Sequence, residues 1–142
     1  MYGNCQQVRD WLFVDDHCAA IDRILAADVA GETLHVGGEA EHENIEMEGL
    51  LCALIDERIG SVPTLAEHFP ACPAASDTGS CRELITYARE RVSHDRRYAV
   101  DLIEIRNRLE YALSETLQSG LLRTVNRYLA NAPWWRAMMD RR

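Results

Sequence analysis

The sequence predicts a small mixed α/β unit built from short strands and four amphipathic helices. Runs rich in aromatic and β-branched residues, typical of strands, alternate with segments whose apolar residues recur every three or four positions, typical of helices. The chain has 142 residues, of which 47% are hydrophobic and 27% charged. This length and composition suit one globular domain. We therefore expect residues 1–142 to fold as a single unit.

The first predicted strand and helix lie near the N-terminus. Residues 10–14 combine aromatic and β-branched side chains, and Asp15 or Asp16 supplies the N-cap of a helix. The apolar positions of this helix are Cys18, Ile21, Ile24 and Leu25. Their spacing predicts one apolar helix face.

A second strand and helix follow, and then a segment rich in proline. Residues 33–36 predict a strand that Gly37-Gly38 ends, and the apolar residues between 47 and 55 predict a helix. Residues 60–81 hold three of the four prolines. That composition predicts a long surface loop.

The remainder of the chain predicts two strands and two helices. Residues 84–87 and 97–100 are predicted strands on either side of a charged stretch. Asp101, followed three residues later by a glutamate, begins the third helix with a capping-box pattern. Ser114 caps the fourth helix, which ends before Pro133.

Charge and residue usage exclude several classes of protein. The net charge of −8 at pH 7 provides no basic surface for nucleic acid or for an anionic membrane. All basic residues are arginine, so no lysine is available for a Schiff base or a Tyr-x-x-x-Lys pair. The five cysteines are irregularly spaced, and the sequence shows neither a signal peptide nor a long apolar run. These features predict a cytoplasmic protein with reduced thiols.

Two polar clusters in the first third of the chain are candidates for anion binding. Arg9 stands at the entrance of the first predicted strand, where a guanidinium can bind a phosphate or form a surface ion pair with Asp10 or Asp15. The Gly37-Gly38 turn leads into a helix N-terminus, which attracts anions. The glutamates around it favour an ordinary acidic helix start instead.

The third cluster is the run from Arg89 to Arg97, which holds four arginines and His94. Such a run is often solvated charge, but here it lies between two predicted strands that would hold it as a rigid loop. The three clusters together would suit a ligand the size of a diphosphate.

Two further features have simpler explanations. The spacing of His68, Cys72 and Cys81 lacks a close cysteine pair, which favours three unrelated loop residues over a zinc site. Trp134 and Trp135 are not framed by a basic groove. They are better explained as core or interface residues than as a stacking platform.

A series of motifs along the chain resembles one enzyme family. In order, they are Tyr2-Gly3, Gln7 to His17, Gly31-Glu32-Thr33, Val36-Gly37-Gly38, Asn44-Ile45, Ile85-Thr86-Tyr87 and His94 to Ala99. With weaker matches up to Trp134, they resemble the C-terminal, substrate-binding domain of the dTDP-glucose 4,6-dehydratases. These enzymes are extended short-chain dehydrogenase/reductases with an α/β fold.

The resemblance implies a function for the full-length enzyme and a role for this part of it. Family members use NAD to convert dTDP-glucose into dTDP-4-keto-6-deoxyglucose, and their Rossmann half carries the cofactor motif and the Tyr-x-x-x-Lys pair. Neither motif occurs in this chain. The resemblance therefore implies no catalytic, cofactor-binding or metal-binding residues here, and no NAD binding by the chain alone. It implies that Arg9, Asn44, Arg91 and His94, with Tyr2 nearby, hold the nucleotide-diphosphate sugar.

The chain departs from the family pattern at several turns. Cys5, Ser93 and Glu110 stand where family members commonly have glycine. These departures and the missing half predict a gene fragment or a misassigned start codon, inactive alone. The alternatives are a nucleotide-sugar-binding module that pairs with a separate Rossmann chain or with itself, and an acidic interaction module.

Overall fold

The computed structural model describes residues 1–140, which form six α-helices, a two-stranded sheet and two 3₁₀ turns. The strands are β1 (Val8–Asp10) and β2 (Glu41–Glu43). The helices are α1 (Val14–Ala26), α2 (Asn44–Ser61), α3 (Pro63–His68), α4 (Ile103–Leu109), α5 (Leu117–Ala130) and α6 (Ala132–Met139). The 3₁₀ turns are Pro73–Ala75 and Cys81–Leu84.

Strand β1 is the centre of the small sheet. It pairs antiparallel with β2, with Val8 opposite Glu43. On its other side, the Val8 amide donates to the Arg96 carbonyl at 2.8 Å, and the Tyr98 amide donates to the Val8 carbonyl at 3.0 Å. Residues 96–98 therefore lie against β1 although they form only a single bridge with it.

The glycine turn at 37–38 packs against the end of β1. The Asp10 carboxylate accepts hydrogen bonds from the Gly38 and Ala40 amides at 3.0 and 2.9 Å. A Cβ on Gly38 would lie 1.8 Å from the Trp11 carbonyl oxygen. Glycine is required here because two backbone segments meet, and this contact does not create an open phosphate cradle.

The buried apolar residues form two separate clusters. The first lies between α1 and the α4 region and contains Ala20, Leu102, Ile105 and Tyr111. The second lies between α2 and the segment that follows it and contains Cys52, Ile59, Ala74 and Cys81. Each cluster is small, so the side chains packed around it contribute much of its burial.

The predicted strands are wrong in four places. The first, residues 10–14, shares only Asp10 with β1, because residues 11–13 form no strand and Val14 already begins α1. Residues 33–36 form no strand, residues 84–87 begin inside the second 3₁₀ turn, and residues 97–100 contribute one bridge. A strand needs a partner for its amide and carbonyl groups. Residues 33–36 pair with no other strand in the described part of the chain, so their strand-like composition alone does not produce one.

The four predicted helices are present as α1, α2, α4 and α5, and α3 and α6 are additional. Residues 60–81 are not one continuous loop, because α3 and the first 3₁₀ turn lie within them and both begin with proline. Pro133 likewise lies in the first turn of α6, where proline is tolerated because the missing amide has no helical partner.

The predicted helix caps are partly wrong. Helix α1 begins at Val14 with no side-chain cap, and Asp16 is 3% exposed. The Asp16 carboxylate instead accepts from the Ser114 amide at 2.9 Å and from the Ser114 hydroxyl at 2.5 Å. Ser114 is thereby used as a tertiary anchor, and Thr116 caps α5. The capping box predicted from Asp101 is not formed, because the N-cap of α4 is Leu102 without a side-chain cap. Asp101 accepts from the Ile103 amide at 2.8 Å from just outside the helix.

None of the helices within residues 1–140 has both the length and the apolar character needed to cross a bilayer.

Candidate functional site

A groove of about 550 Å³ lies beside β1, and we call it the polar groove. Its lining residues are Asn4, Gln6, Gln7, Val8, Glu43, Glu90, Arg91, Ser93, His94 and Arg96. Most of these side chains are polar or charged. The groove thus joins the N-terminal segment to part of the arginine-rich run, 85 or so positions later in the chain.

The N-terminal segment holds the arginine-rich run at both ends. At one end, the Gly3 amide donates to the Ala88 carbonyl at 3.0 Å, and the Ala88 amide donates to the Met1 carbonyl at 2.6 Å. At the other end, the Val8 amide donates to the Arg96 carbonyl at 2.8 Å. The intervening loop is therefore fixed by backbone hydrogen bonds, as a binding loop on a rigid scaffold requires.

Glu90 is the hub of the hydrogen bonds in the polar groove. Its carboxylate lies 2.7 Å from Nδ1 of His94 and accepts from the Gln7 amide nitrogen at 2.8 Å and from the Arg91 backbone amide at 3.0 Å. The hydrogen bond with His94 is the main reason that the pKa of Glu90 lies below its usual range. An ionised carboxylate accepts, so Nδ1 of His94 carries the proton and Nε2 is left free.

Gln7 fixes Glu90 from the protein interior. It is 7% exposed, and its Nε2 must face the Glu90 carboxylate, because a carboxylate only accepts hydrogen bonds. The side-chain oxygen Oε1 of Gln7 consequently has no hydrogen-bond partner among residues 1–140. A buried polar atom without a hydrogen-bond partner lowers the stability of the folded state. The hydrogen bond from Gln7 to Glu90 is formed despite this cost.

Two arginines of the polar groove have no acidic partner. Within the described chain, no carboxylate lies at ion-pair distance from Arg91 or Arg96, whereas the neighbouring Arg97 pairs with Glu41 at 2.6 Å. The Arg91 guanidinium lies 4.1 Å from the centre of the Tyr2 ring. That ring also meets His94 edge-on, with 6.5 Å between ring centres. Arg91, Tyr2 and His94 therefore form one cluster with a free positive charge.

Of the five predicted site residues, Arg91 and His94 line the polar groove, and Tyr2 contacts both of them from outside the lining. Arg9 and Asn44 are also outside the lining. Arg9 follows Val8 on β1, and successive strand residues face opposite sides. Its guanidinium donates to the Val8 and Asp95 carbonyls at 2.6 and 3.0 Å and lies 4.7 Å from the Tyr98 ring. Arg9 thus lies next to the loop that carries His94 without lining the groove.

Asn44 is the first residue of α2, and its backbone amide donates to the Gln7 carbonyl at 3.0 Å. It sits behind the groove, which its side chain does not line.

The five predicted site residues did not include Gln7, Glu90 or Arg96, although Arg96 belongs to the arginine-rich run. A signal for Glu90 was the four-residue spacing of Glu90 and His94, at which a carboxylate and an imidazole meet in a single turn of backbone.

A second, larger groove of about 900 Å³ lies between residues 11–16 and α5, and we call it the apolar groove. Its apolar lining includes Leu12, Phe13, Met47, Leu51, Leu117, Leu121 and Tyr128. Near it, the outer side of α1 exposes Val14, Cys18, Ile21 and Leu25, which we call the α1 stripe. Their spacing of four, three and four residues puts them in one line on the helix.

The histidine and cysteines considered for zinc do not converge. Nδ1 of His68 lies 2.6 Å from the Thr64 carbonyl in its own helix, and residues 1–140 contain no group of three side chains placed to hold a metal ion. Cys72 and Cys81, however, are not unrelated, because their sulfur atoms are 3.4 Å apart.

Comparison with known proteins agrees with the resemblance. A family model described as GDP-mannose 4,6 dehydratase matches residues 1–124. The chain is 36% identical to a dTDP-glucose 4,6-dehydratase of Escherichia coli and 41% identical to one of Neisseria meningitidis, in both cases over 99% of this chain. A crystal structure of a DesIV double mutant, a dTDP-glucose 4,6-dehydratase of Streptomyces venezuelae, has NAD and a nucleotide sugar bound. It superimposes with a TM-score of 0.74 at 31% identity and covers 96% of this chain.

The chain spans about a third of these relatives, namely 35% and 36% of the two curated sequences and 35% of the solved chain. The mixed α/β fold class is confirmed by the solved structures. The match over residues 1–124 shows that the chain belongs to the GDP-mannose 4,6 dehydratase family of extended short-chain dehydrogenase/reductases.

Proposed function

We propose that this chain is the nucleotide-sugar-binding part of a dTDP-glucose 4,6-dehydratase and that the polar groove binds the diphosphate of the nucleotide. In the complete enzyme, NAD would be held by the Rossmann half, and dTDP-glucose would be converted to dTDP-4-keto-6-deoxyglucose. This chain alone would bind ligand without converting it. The proposal places this activity in the cytoplasm.

The observation that carries the proposal is the pair of unpaired guanidinium groups in the polar groove. In a chain of net charge −8, carboxylates neutralise some of the arginines, as they do Arg97 and Arg106. Arg91 and Arg96 have no such partner within residues 1–140. A guanidinium fork that is free and held beside a groove is suited to a phosphate oxygen.

The neighbouring groups support the same ligand. Glu90 brings a negative charge into the groove, but its oxygen atoms are already used by His94, Gln7 and the Arg91 amide. The His94 ring is thereby held in place at the groove. Arg9 and Asn44 would contribute at the margin of the groove, where Arg9 exchanges its backbone carbonyl partners for phosphate oxygens.

The residues of this chain do not fit NAD. The Gly37-Gly38 turn is filled by Asp10 and the Trp11 carbonyl rather than open to a ligand, so it offers no cradle for a dinucleotide phosphate. The chain has no lysine for the proton-transfer pair that the family uses. We therefore assign binding and orientation of the nucleotide to this chain, and redox chemistry to the Rossmann half.

The α1 stripe and the apolar groove support a second element of the proposal, a protein partner. Ile21 and Leu25 are 44% and 78% exposed, and a row of such side chains usually marks an interaction surface. The relatives are almost three times as long as this chain. We propose that the Rossmann half covers this surface, and that a second copy of the chain does so when that half is absent.

Binding is tested by thermal unfolding of the full 142-residue chain with thymidine diphosphate. A ligand at 100 times its dissociation constant stabilises the folded state by ~2.7 kcal/mol, so the melting temperature rises. Arg91→Ala should reduce the affinity at least tenfold, because a charge-assisted contact is lost. Arg127→Ala, an arginine of the apolar groove, is the matched control and should leave the affinity unchanged. No shift with the wild-type chain, or equal loss in both variants, would contradict the proposal.

A further inference from the structure

Three of the five cysteines meet in the cluster between α2 and the segment that follows it. Cys52 and Cys81 are buried in this cluster, and Cys72 packs against it at the surface. All three are free thiols. The two sulfur atoms of Cys72 and Cys81 are 3.4 Å apart, although the residues are nine positions apart in the sequence.

The backbone on both sides of this pair is anchored. The Cys72 amide donates to the Phe69 carbonyl at 2.9 Å, and the Cys81 amide donates to the Asp56 carboxylate at 2.9 Å. Between them, the Ser76 hydroxyl donates to the Pro73 carbonyl and accepts from the Gly79 amide. The approach of the two thiols is therefore a consequence of the folded loop. A disulfide of ~2.05 Å requires the sulfur atoms to close by roughly 1.4 Å.

The two thiols differ in access. Cys81 is 5% exposed, and burial, followed by hydrogen bonding with Asp56 and Cys72, raises its pKa. Cys72 is half-buried and reaches solvent. Because the thiolate is the attacking species and must meet its reagent, Cys72 is the thiol that a soluble oxidant encounters first.

We propose that Cys72 and Cys81 form a reversible dithiol/disulfide site that is oxidised by low-molecular-weight disulfides. This site is independent of the nucleotide-binding function. The two cysteines lie in the second apolar cluster, beside the C-terminal half of α2, and neither lines the polar groove.

The exchange balances in two steps. The Cys72 thiolate attacks one sulfur of glutathione disulfide, forms a mixed disulfide and releases one glutathione thiolate, which takes up the proton that Cys72 lost. The Cys81 thiolate then attacks the Cys72 sulfur and releases the second glutathione. The protein loses two electrons and two protons, and the glutathione disulfide gains them as two thiols.

The disulfide would close a loop around the first 3₁₀ turn and fix it against α2. Such a cross-link restricts the unfolded chain, so the oxidised protein should melt at a temperature higher by several degrees. Reduction by excess glutathione should reverse the change, because exchange runs in both directions.

The test equilibrates the full chain with glutathione disulfide and glutathione at a series of ratios, followed by acid quenching, alkylation and peptide mass spectrometry. We expect a Cys72–Cys81 disulfide, seen as the loss of two hydrogen atoms, together with the rise in melting temperature. Cys72→Ser should abolish both changes, and because Cys72 is only half-buried, this variant should fold. Cys18→Ser, which removes the exposed thiol of α1, should retain both.

Three results would overturn the proposal. In the first, Cys72 and Cys81 both remain alkylatable at ratios that fully glutathionylate Cys18. In the second, Cys72 stops at the mixed disulfide. In the third, the bond forms with Cys52 instead, which Cys52→Ser would reveal by abolishing it.

Discussion

The polar groove and the apolar groove lie on opposite ends of the segment from β1 to α1, and they differ in how far this chain completes them. In the polar groove, Glu90 has partners for its acceptor oxygens, and the side chains are held in place by one another. In the apolar groove and along the α1 stripe, large hydrophobic side chains face solvent.

The difference separates two kinds of surface. A small polar ligand needs a few oriented groups, and this chain supplies them from two of its own segments. An apolar surface must be covered by another apolar surface to leave water, and no segment within residues 1–140 covers the α1 stripe. The comparison therefore assigns ligand recognition to the polar groove and partner binding to the apolar side.

Charged residues on the α1 stripe should weaken partner binding more than any other change considered. In the double variant Ile21→Glu, Leu25→Glu, two side chains that would each contribute ~1.5–3 kcal/mol at an interface are replaced by carboxylates. We expect association with a separately expressed Rossmann half, and self-association, to weaken at least about 100-fold. Sedimentation equilibrium measures both.

Folding should be nearly unchanged in this variant, because both positions are exposed. Asp22→Asn, on the same helix but off the stripe, is the control and should associate like the wild type. Equal association constants for the wild type and the double variant would remove the α1 stripe as an interface.

Tyr111→Phe tests the packing of the core beneath α1 through the stability of the folded chain. Tyr111 is 3% exposed, and its hydroxyl has no hydrogen-bond partner within residues 1–140. Removing an unpaired buried hydroxyl should raise the free energy of unfolding by about 1 kcal/mol. Urea unfolding measures the change, and Tyr87→Phe, at an exposed position, should have no effect. A loss of stability would show that the hydroxyl has a partner in solution.

Two turn residues with positive φ can be tested with the same substitution, to glycine. Ser93 in the polar groove and Glu110 at the end of α4 have φ of 60° and 50°, in the left-handed region that glycine adopts more readily. Ser93→Gly and Glu110→Gly should each increase the free energy of unfolding by about 0.5–1 kcal/mol. Ala53→Gly, within α2, should decrease it by about 1 kcal/mol. If all three variants lose stability, the left-handed conformations are not present.

The smallest expected effect is the acid dependence of the polar groove. Because the pKa of Glu90 is lowered in the folded protein, its stabilising contribution is complete above the ordinary carboxyl pKa and is lost as the pH falls through the lower, folded value. When the pH falls below the ordinary carboxyl pKa, the melting temperature of Glu90→Gln should therefore decrease less than that of the wild type. Glu57→Gln, on the exposed side of α2, should behave as the wild type does. Identical pH profiles for all three proteins would contradict the role of Glu90.

The sequence predicted the helices better than the strands, for a physical reason. The helical spacing of Ile21 and Ile24 is a local property, and so α1 is found where it was expected. Residues 33–36 have strand-like composition but no partner in the described chain. Asp15 or Asp16 was expected to cap α1, but α1 has no side-chain cap. Asp16 binds Ser114 instead, a contact that local spacing cannot reveal.

The candidate site shows the same limit. The arginine-rich run could be recognised from its charge, and the family resemblance singled out Arg91 and His94. Charge patterning alone did not reveal that Glu90 is held by Gln7, more than 80 residues away. Cys5, Ser93 and Glu110, which replace glycines of the family pattern, all have positive φ. The family's glycines at these positions agree with this conformation, which glycine adopts more readily.

The account depends most on where a nucleoside diphosphate binds. Titration of the ¹⁵N-labelled 142-residue chain with thymidine diphosphate, followed by backbone amide chemical shifts, locates the site directly. We predict saturable shifts at Gln7, Val8 and residues 90–96, with little change along α5. Shifts confined to the apolar groove, or none at saturating ligand, would contradict the assignment of the polar groove as the diphosphate site.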